Sequence, residues 1–252
     1  MILLVDIGNT RIKWGLLQNG VLGSQDHAVW YGTSFEEVLQ TSWKTIAKPE
    51  RVVVANVTQT LASPLSEWSR ENWNVVPEFV AVGANEFGIV NHYHNPKQLG
   101  VDRWMAVVGA WYAVGDAVCV VDCGTAVTID VVTAEGEYRG GLIAPGMGLM
   151  RTALTERTPA LTEDGDSAEG MLALSTEQAI AAGTLNAMVG LIDRTVSELS
   201  EELGGSFHCL ITGGDAVSML PHLTNSLRYP WQHHPDLVLQ GLAIAAEDVP
   251  QR

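Results

Sequence analysis

Basic residues are scarce in this chain: 14 Lys and Arg stand against 29 Asp and Glu, giving a formal charge of −15 over 252 residues, with no basic cluster. A surface of that sign has no means of neutralising a phosphate backbone, which argues against nucleic-acid binding. The same field repels a nucleotide triphosphate, so such a ligand needs backbone N–H groups, an occasional lysine and bound cations. Cysteine is equally sparse. Cys119, Cys123 and Cys209 form no CxxC pair, and their odd number fits reduced thiols in the cytoplasm better than a disulfide framework. No apolar run reaches the roughly 18 residues that cross a bilayer. The opening Met1-Ile2-Leu3-Leu4-Val5-Asp6 carries neither a basic leader nor a cleavage site, so the expectation is an unexported protein with no membrane association. A Walker A loop is absent. His92-x-His94 and His233-His234 lack a further ligand at metal spacing and read as solvated or core histidines.

What is present is a composition 46% hydrophobic, enough to bury one large or two small cores, and a pattern of mixed α/β elements. Ile2 to Val5 is continuously apolar, Gly8-Asn9-Thr10 is turn chemistry, and Ile12 to Leu17 resumes as a strand before Asn19-Gly20, the signature of a tight hairpin. Arg51 to Val57 predicts a buried strand, Leu61 to Arg70 a helix, and Phe79 to Val82 another strand. A turn-rich stretch from Asn91 to Gly100 precedes a helix predicted over Asp102 to about Val114. Leu185, Met188, Val189, Ile192, Val196, Leu199 and Leu203 recur at helical spacing, with Ser175 and Gln178 as a capping box. Thr155 to Ser175 reads as a long loop, Cys209 to Thr212 as a strand, and Leu237 to Ala246 as the last helix.

One arrangement occurs twice. Leu4-Val5-Asp6-Ile7-Gly8-Asn9-Thr10 places an Asp at the end of an apolar strand, a Gly two residues later and a small polar residue after that; Val120-Val121-Asp122-Cys123-Gly124-Thr125 does the same. Two homologous α/β halves follow as the expectation, residues 1–115 and 116–252, each contributing a phosphate-facing hairpin to a cleft. An acid at a strand end suits a hydrated Mg²⁺, and the glycine lets the following N–H groups approach phosphate oxygens, with Lys13 adding a positive contact. An ordinary hairpin with a solvated lysine is the bland alternative. Gly140-Gly141 through Pro145-Gly146 is a third glycine-dense element, explained either by backbone passing close to a ligand or by tight packing between the halves. Gly213-Gly214-Asp215, at a strand-to-helix junction, suits a ribose or an α-phosphate.

Gly100-Val101-Asp102-Arg103 supplies an acid and a base side by side. Phosphorylating an alcohol needs a carboxylate to accept the proton, and an adjacent arginine suits a substrate carboxylate. The competing reading has Asp102 capping a helix and Arg103 in water.

Together these segments resemble the type III pantothenate kinases of the actin and sugar-kinase superfold, over nearly the whole chain. Asp6-Ile7-Gly8-Asn9-Thr10-Arg11 with Lys13 and Gly15 is similar to the family's first phosphate motif, Gly100 to Arg103 to its substrate motif, and Asp122 to Ala126 with Thr128 and Asp130 to its second phosphate motif. The resemblance implies two ribonuclease-H-like, actin-like halves with a cleft between them, and ATP-dependent phosphorylation of pantothenate as the first step of coenzyme A biosynthesis. It implies Asp102 as proton acceptor and Tyr93, Gly100, Val101, Asp102, Arg103 and Thr176 as pantothenate contacts. Asp6, Gly8, Asn9, Thr10, Lys13 and Thr125 fall to ATP, Asp122 to a monovalent cation (potassium or ammonium), and Asp6 to the Mg²⁺ that accompanies the nucleotide. A cytoplasmic homodimer is implied as well. The alternative is a non-catalytic nucleotide-binding regulator of the same fold.

Overall fold

The computed structural model describes residues 1–58, 60–156, 172–203, 207–223 and 229–247. They form two compact units. The first comprises 1–115, 132–140 and the C-terminal segment from Asp236, and the second comprises 116–131 and 141–235.

The first unit is built on a sheet of order β3-β2-β1-β4-β5. Strand β1 (Ile2–Ile7) pairs antiparallel with β2 (Arg11–Gln18) and parallel with β4 (Arg51–Asn56); β3 (Val21–Val29) and the short β5 (Glu78–Phe79) form the edges. The continuous apolar run of β1 is explained by cover on both faces. One face takes α1 (Phe35–Ser42) and α2 (Ala62–Trp73), whose Phe35, Leu39, Leu65, Trp68 and Trp73 pack with Leu3, Val5, Trp14 and Val54. Trp43 lies at the centre, stacked on Trp73 at 5.5 Å and edge-on to Trp68 at 5.5 Å, so these tryptophans are core packing rather than a stacking platform. The Asn19-Gly20 hairpin forms as the sequence predicts, with φ of 49° and 76° at the two turn residues.

Helices α3 (Val101–Val114) and α7 (Leu237–Glu247) pack against each other and against the sheet strand β4. They approach at two glycines. A Cβ on Gly241 would stand 2.0 Å from the Met105 carbonyl oxygen, and one on Gly109 would stand 2.4 Å from that of Leu237. Between α2 and α3 lie the hairpin β6 (Asn85–Glu86) and β7 (Ile89–Asn91) and a single 3-10 turn at Pro96–Gln98.

In the second unit, β8 (Val118–Cys123), β9 (Ala126–Val132) and β10 (Glu137–Pro145) form a sheet with β11 (His208–Thr212) and β12 (Trp231–His233), in the order β12-β11-β8-β9-β10. The start of β10, Glu137 and Tyr138, itself belongs to the first unit and pairs there in parallel with β7. Helix α4 (Met147–Thr155), the long α5 (Thr176–Glu202) and the short α6 (Ala216–Met219) complete the second unit. Met188, Ile192 and Val196 of α5 reach Cys119, Ile129 and Ile211 of the sheet. Ser175 caps α5 by accepting the Gln178 backbone N–H. Most of the loop expected over Thr155 to Ser175 falls outside the described residues.

Candidate active site

Helix α3 begins at Gly100, which holds the N-cap position, so Asp102 sits inside the first turn rather than capping it. Its Oδ1 accepts the Arg103 backbone N–H at 2.7 Å and folds back over Gly100, where a Cβ would stand 2.6 Å from that oxygen. Burial pushes the Asp102 carboxyl above the usual carboxylate range; the Arg103 N–H and guanidinium pull it back only in part. A carboxylate of raised pKa at the start of a helix has the properties of a general base.

Arg103 is 8% exposed, which excludes the solvated alternative. Its Nη1 donates to the Tyr93 hydroxyl at 3.2 Å and its Nη2 to the Tyr138 hydroxyl at 3.3 Å. Tyr93 is half-buried, and its backbone N–H is held by Asn91 Oδ1 at 3.1 Å. The structure thus brings Tyr93, Gly100, Asp102 and Arg103 together within the first unit. The Val101 side chain is buried. Tyr138 was missed in the sequence; its one local signal is an aromatic residue two positions ahead of the glycine-rich run.

The β1–β2 turn also lies in the first unit. Asp6 is buried at the end of β1, opposite Lys13 in register. Gly8 donates its N–H to the Arg11 carbonyl at 3.0 Å, and Trp30 Nε1 donates to the Gly8 carbonyl at 2.9 Å, so Asn9 and Thr10 form the tip. The corresponding turn of the second unit is one residue shorter: only Gly124 and Thr125 separate β8 from β9, and Gly124 donates to the Ala126 carbonyl at 3.0 Å.

Two of the remaining glycine elements converge on this second turn. A Cβ on Gly146 would lie 2.2 Å from the Gly124 carbonyl oxygen, and the Gly146 N–H donates to the Thr125 carbonyl at 2.9 Å. The glycine at the start of α4 therefore permits that helix to begin against the Gly124-Thr125 turn, a contact inside the second unit rather than between halves. Gly213 has φ of 95°, and its Cβ would lie 2.3 Å from the Cys123 carbonyl and 2.4 Å from Asp122 Oδ1. The Asp215 N–H donates to the same Cys123 carbonyl at 2.9 Å. Thr176 opens α5 and lines an apolar groove of about 800 Å³ with Leu149, Met150, Leu154, Ile180 and Ala187. Leu142, Ile143, Leu149 and Leu154 are exposed on the same unit.

Comparison with known proteins shows which family the chain belongs to. Residues 2–198 match the family model of type III pantothenate kinase. The type III pantothenate kinase of Nitrosococcus oceani is 42% identical, covering 98% of this chain and 94% of that protein; that of Nitrosospira multiformis is 36% identical, covering 98% and 92%. The chain belongs to the type III pantothenate kinase family. A glucokinase from Streptomyces griseus, solved with glucose and AMPPNP, superimposes with a TM-score of 0.53 at 14% identity, covering 98% of this chain and 99% of that one. A chain from Campylobacter jejuni, assigned to the Baf family of transcriptional activators, superimposes with a TM-score of 0.61 at 20% identity, covering 97% and 98%. These likenesses show the fold alone, a mixed α/β fold consistent with a duplicated actin-like arrangement; at such identities they carry nothing about regulation.

Proposed function

We propose that this chain phosphorylates pantothenate with ATP to give 4'-phosphopantothenate, the entry reaction of coenzyme A biosynthesis, with Asp102 as the general base. The observation that carries the residue assignment is the pairing of a half-buried carboxylate, its pKa raised by desolvation, with a buried arginine at the start of α3. The substrate's primary hydroxyl gives its proton to Asp102 as its oxygen forms the new bond to the γ-phosphorus, and ADP leaves with the electrons of the broken P–O bond. A raised pKa brings the base nearer its working pH. Arg103, with Tyr93 and the backbone of Gly100 and Val101, holds pantothenate, and the arginine fork suits its carboxylate. Thr176, at the start of α5 in the second unit, stands as a separate candidate contact.

Gly8, Asn9, Thr10 and Lys13, on the β1–β2 hairpin of the first unit, are candidates for ATP phosphates; in the second unit Thr125 is a candidate, in a turn backed by the N-terminus of α4, a favourable end for anions. Divalent and monovalent cations fit the donor set: the half-buried Asp122 carboxylate and the Cys123 carbonyl both lie beside Gly213, which leaves room there, and Asp6 of the first unit is a buried carboxylate. These are hard oxygen donors, suited to Mg²⁺ or potassium rather than zinc. When bound, such cations neutralise phosphate charge that the acidic chain itself repels.

The exposed apolar residues beside the α4–α5 groove support a homodimer in which a second copy covers that face. No helix among the described residues is long and apolar enough to cross a membrane, and free Cys119, Cys123 and Cys209 fit the reducing cytoplasm. The deciding experiment is ATP-dependent phosphorylation of pantothenate by purified protein with Mg²⁺, in potassium and in sodium, for wild type and Asp102→Asn. The expected result is potassium-stimulated product, reduced roughly 10²–10⁴-fold in the variant. Equal turnover by Asp102→Asn would remove the base assignment, and ATP binding without product from wild type would return the regulatory reading.

A further inference from the structure

The arginine that contacts pantothenate is held from two sides, and only one of its two tyrosine partners is within reach of a substrate. Tyr93 is half-buried, so its hydroxyl is able to meet both Arg103 and pantothenate. Tyr138 is 0% exposed, yet its hydroxyl accepts from Arg103 Nη2 at 3.3 Å. We infer that Tyr138 is a positioning residue, which sets the plane of the Arg103 guanidinium and through it the affinity for pantothenate without touching the substrate.

Three features support this role over plain core packing. A ring that served packing alone has no need of a hydroxyl, and a buried hydroxyl must be hydrogen-bonded to be tolerated; here the group it meets is the arginine fork. The ring itself is fixed: Trp104 packs on it edge-on at 6.2 Å and Tyr93 lies tilted at 5.8 Å. Its backbone is fixed as well, because Tyr138 pairs with Asn91 in the β10–β7 register and Asn91 Oδ1 in turn holds the Tyr93 N–H. The two hydroxyls bind different terminal nitrogens, and two anchors on a planar group constrain its orientation more than one does. A guanidinium fixed in this way loses less freedom when it takes up a carboxylate in a bidentate contact.

This inference rests on the assignment of Arg103 to pantothenate. Its test is Tyr138→Phe, which removes one oxygen and keeps the ring, measured by steady-state kinetics and by calorimetric titration of pantothenate. Losing that pre-orientation returns an ordering cost to binding of a size that weakens pantothenate affinity about tenfold. The expected outcome is a KM and Kd for pantothenate raised by about that factor, with kcat and the KM for ATP changed less than twofold. In an Arg103→Met background the same Tyr138→Phe change should have no further effect on the pantothenate Kd. Unchanged affinity in Tyr138→Phe, equal losses in kcat and in both KM values, or an undiminished effect in the Arg103→Met background would each overturn the positioning role. A wild-type protein that fails to bind or phosphorylate pantothenate would instead overturn the underlying assignment, so the two failures are told apart.

Discussion

Replacing Gly241 by alanine is the most demanding test of how the fold places the candidate base. The added methyl would sit 2.0 Å from the Met105 carbonyl oxygen and 2.7 Å from its carbon, both backbone atoms of α3 that cannot rotate away. Ordinary contact begins near 3.4 Å, so α3 and α7 must part by about 3.4 − 2.0 = 1.4 Å. A gap of that size forfeits about half the contact energy of the apolar side chains between the helices. Leu237, Leu242, Met105 and Val108 are all fully buried there. At about 2 kcal/mol each for full burial, halving the contribution of four such residues costs about 4 kcal/mol. The better helix propensity of alanine returns about 1 kcal/mol, leaving about 3 kcal/mol of destabilisation. At about 2–4 °C per kcal/mol for a chain of this size, thermal unfolding should shift down by roughly 6–12 °C. Gly190→Ala is the internal control: Gly190 is an exposed helical glycine with nothing within 4 Å of its Cβ position, and it should gain the propensity term alone. Because Asp102 lies one turn before Met105, Gly241→Ala should also raise the KM for pantothenate. A Gly241→Ala melting point within 2 °C of wild type would refute the reasoning, since the helices would then have room the structure does not show.

Asp102 should reveal itself in pH dependence. Its folded pKa is raised by burial, so the acid limb of kcat/KM should lie above the ordinary value of 3.8, activity falling as pH drops through the raised pKa and the base is protonated. The stability sign is the opposite. The contribution of a group with a raised folded pKa is fully present below the unfolded value and is lost as pH rises through the folded one. Asp102→Asn should therefore melt higher than wild type at neutral pH, with the advantage vanishing below about pH 3.8; an acid limb at or below 3.8, or a lower neutral-pH melting point for the variant, would contradict it. Gly146→Ala should push α4 off the Gly124-Thr125 turn and raise the KM for ATP by about tenfold, a loss of about 1.4 kcal/mol, while calorimetry shows pantothenate affinity retained; unchanged ATP kinetics would show that this turn does not hold the nucleotide.

The parts of this molecule legible in the sequence are those where a local pattern and a local cause coincide. β1 reads as a strand because both its faces are covered, and the Asn19-Gly20 turn reads as a hairpin because two successive positive φ angles demand those residues. The predicted strand at Phe79 to Val82 shrinks to Glu78–Phe79, since only Val53 and Val54 offer it partners at the sheet edge. Helix α1 went unread: at eight residues it has a Ser34 cap and two buried side chains, too few for a period to show. The contact of α7 with α3 depends on Gly109 meeting Gly241 across 132 positions, and no periodicity in either helix announces it.

The same division runs through the candidate site. Asp102 and Arg103 stand out as candidates because chemistry restricts the choice: proton acceptance needs a carboxylate, and bidentate recognition needs a guanidinium. The two phosphate-type turns were legible because the Asp and the following Gly recur, although the loops differ by one residue. Tyr138 was not, because it meets Arg103 through the register of β10 on β7, a long-range pairing in which several residue types satisfy the strand. Groups that react are constrained in type and stand out in a sequence, whereas groups that aim them are constrained in position and emerge only when the chain is folded. The Tyr138→Phe measurement therefore probes the layer of this site that sequence comparison is least able to see.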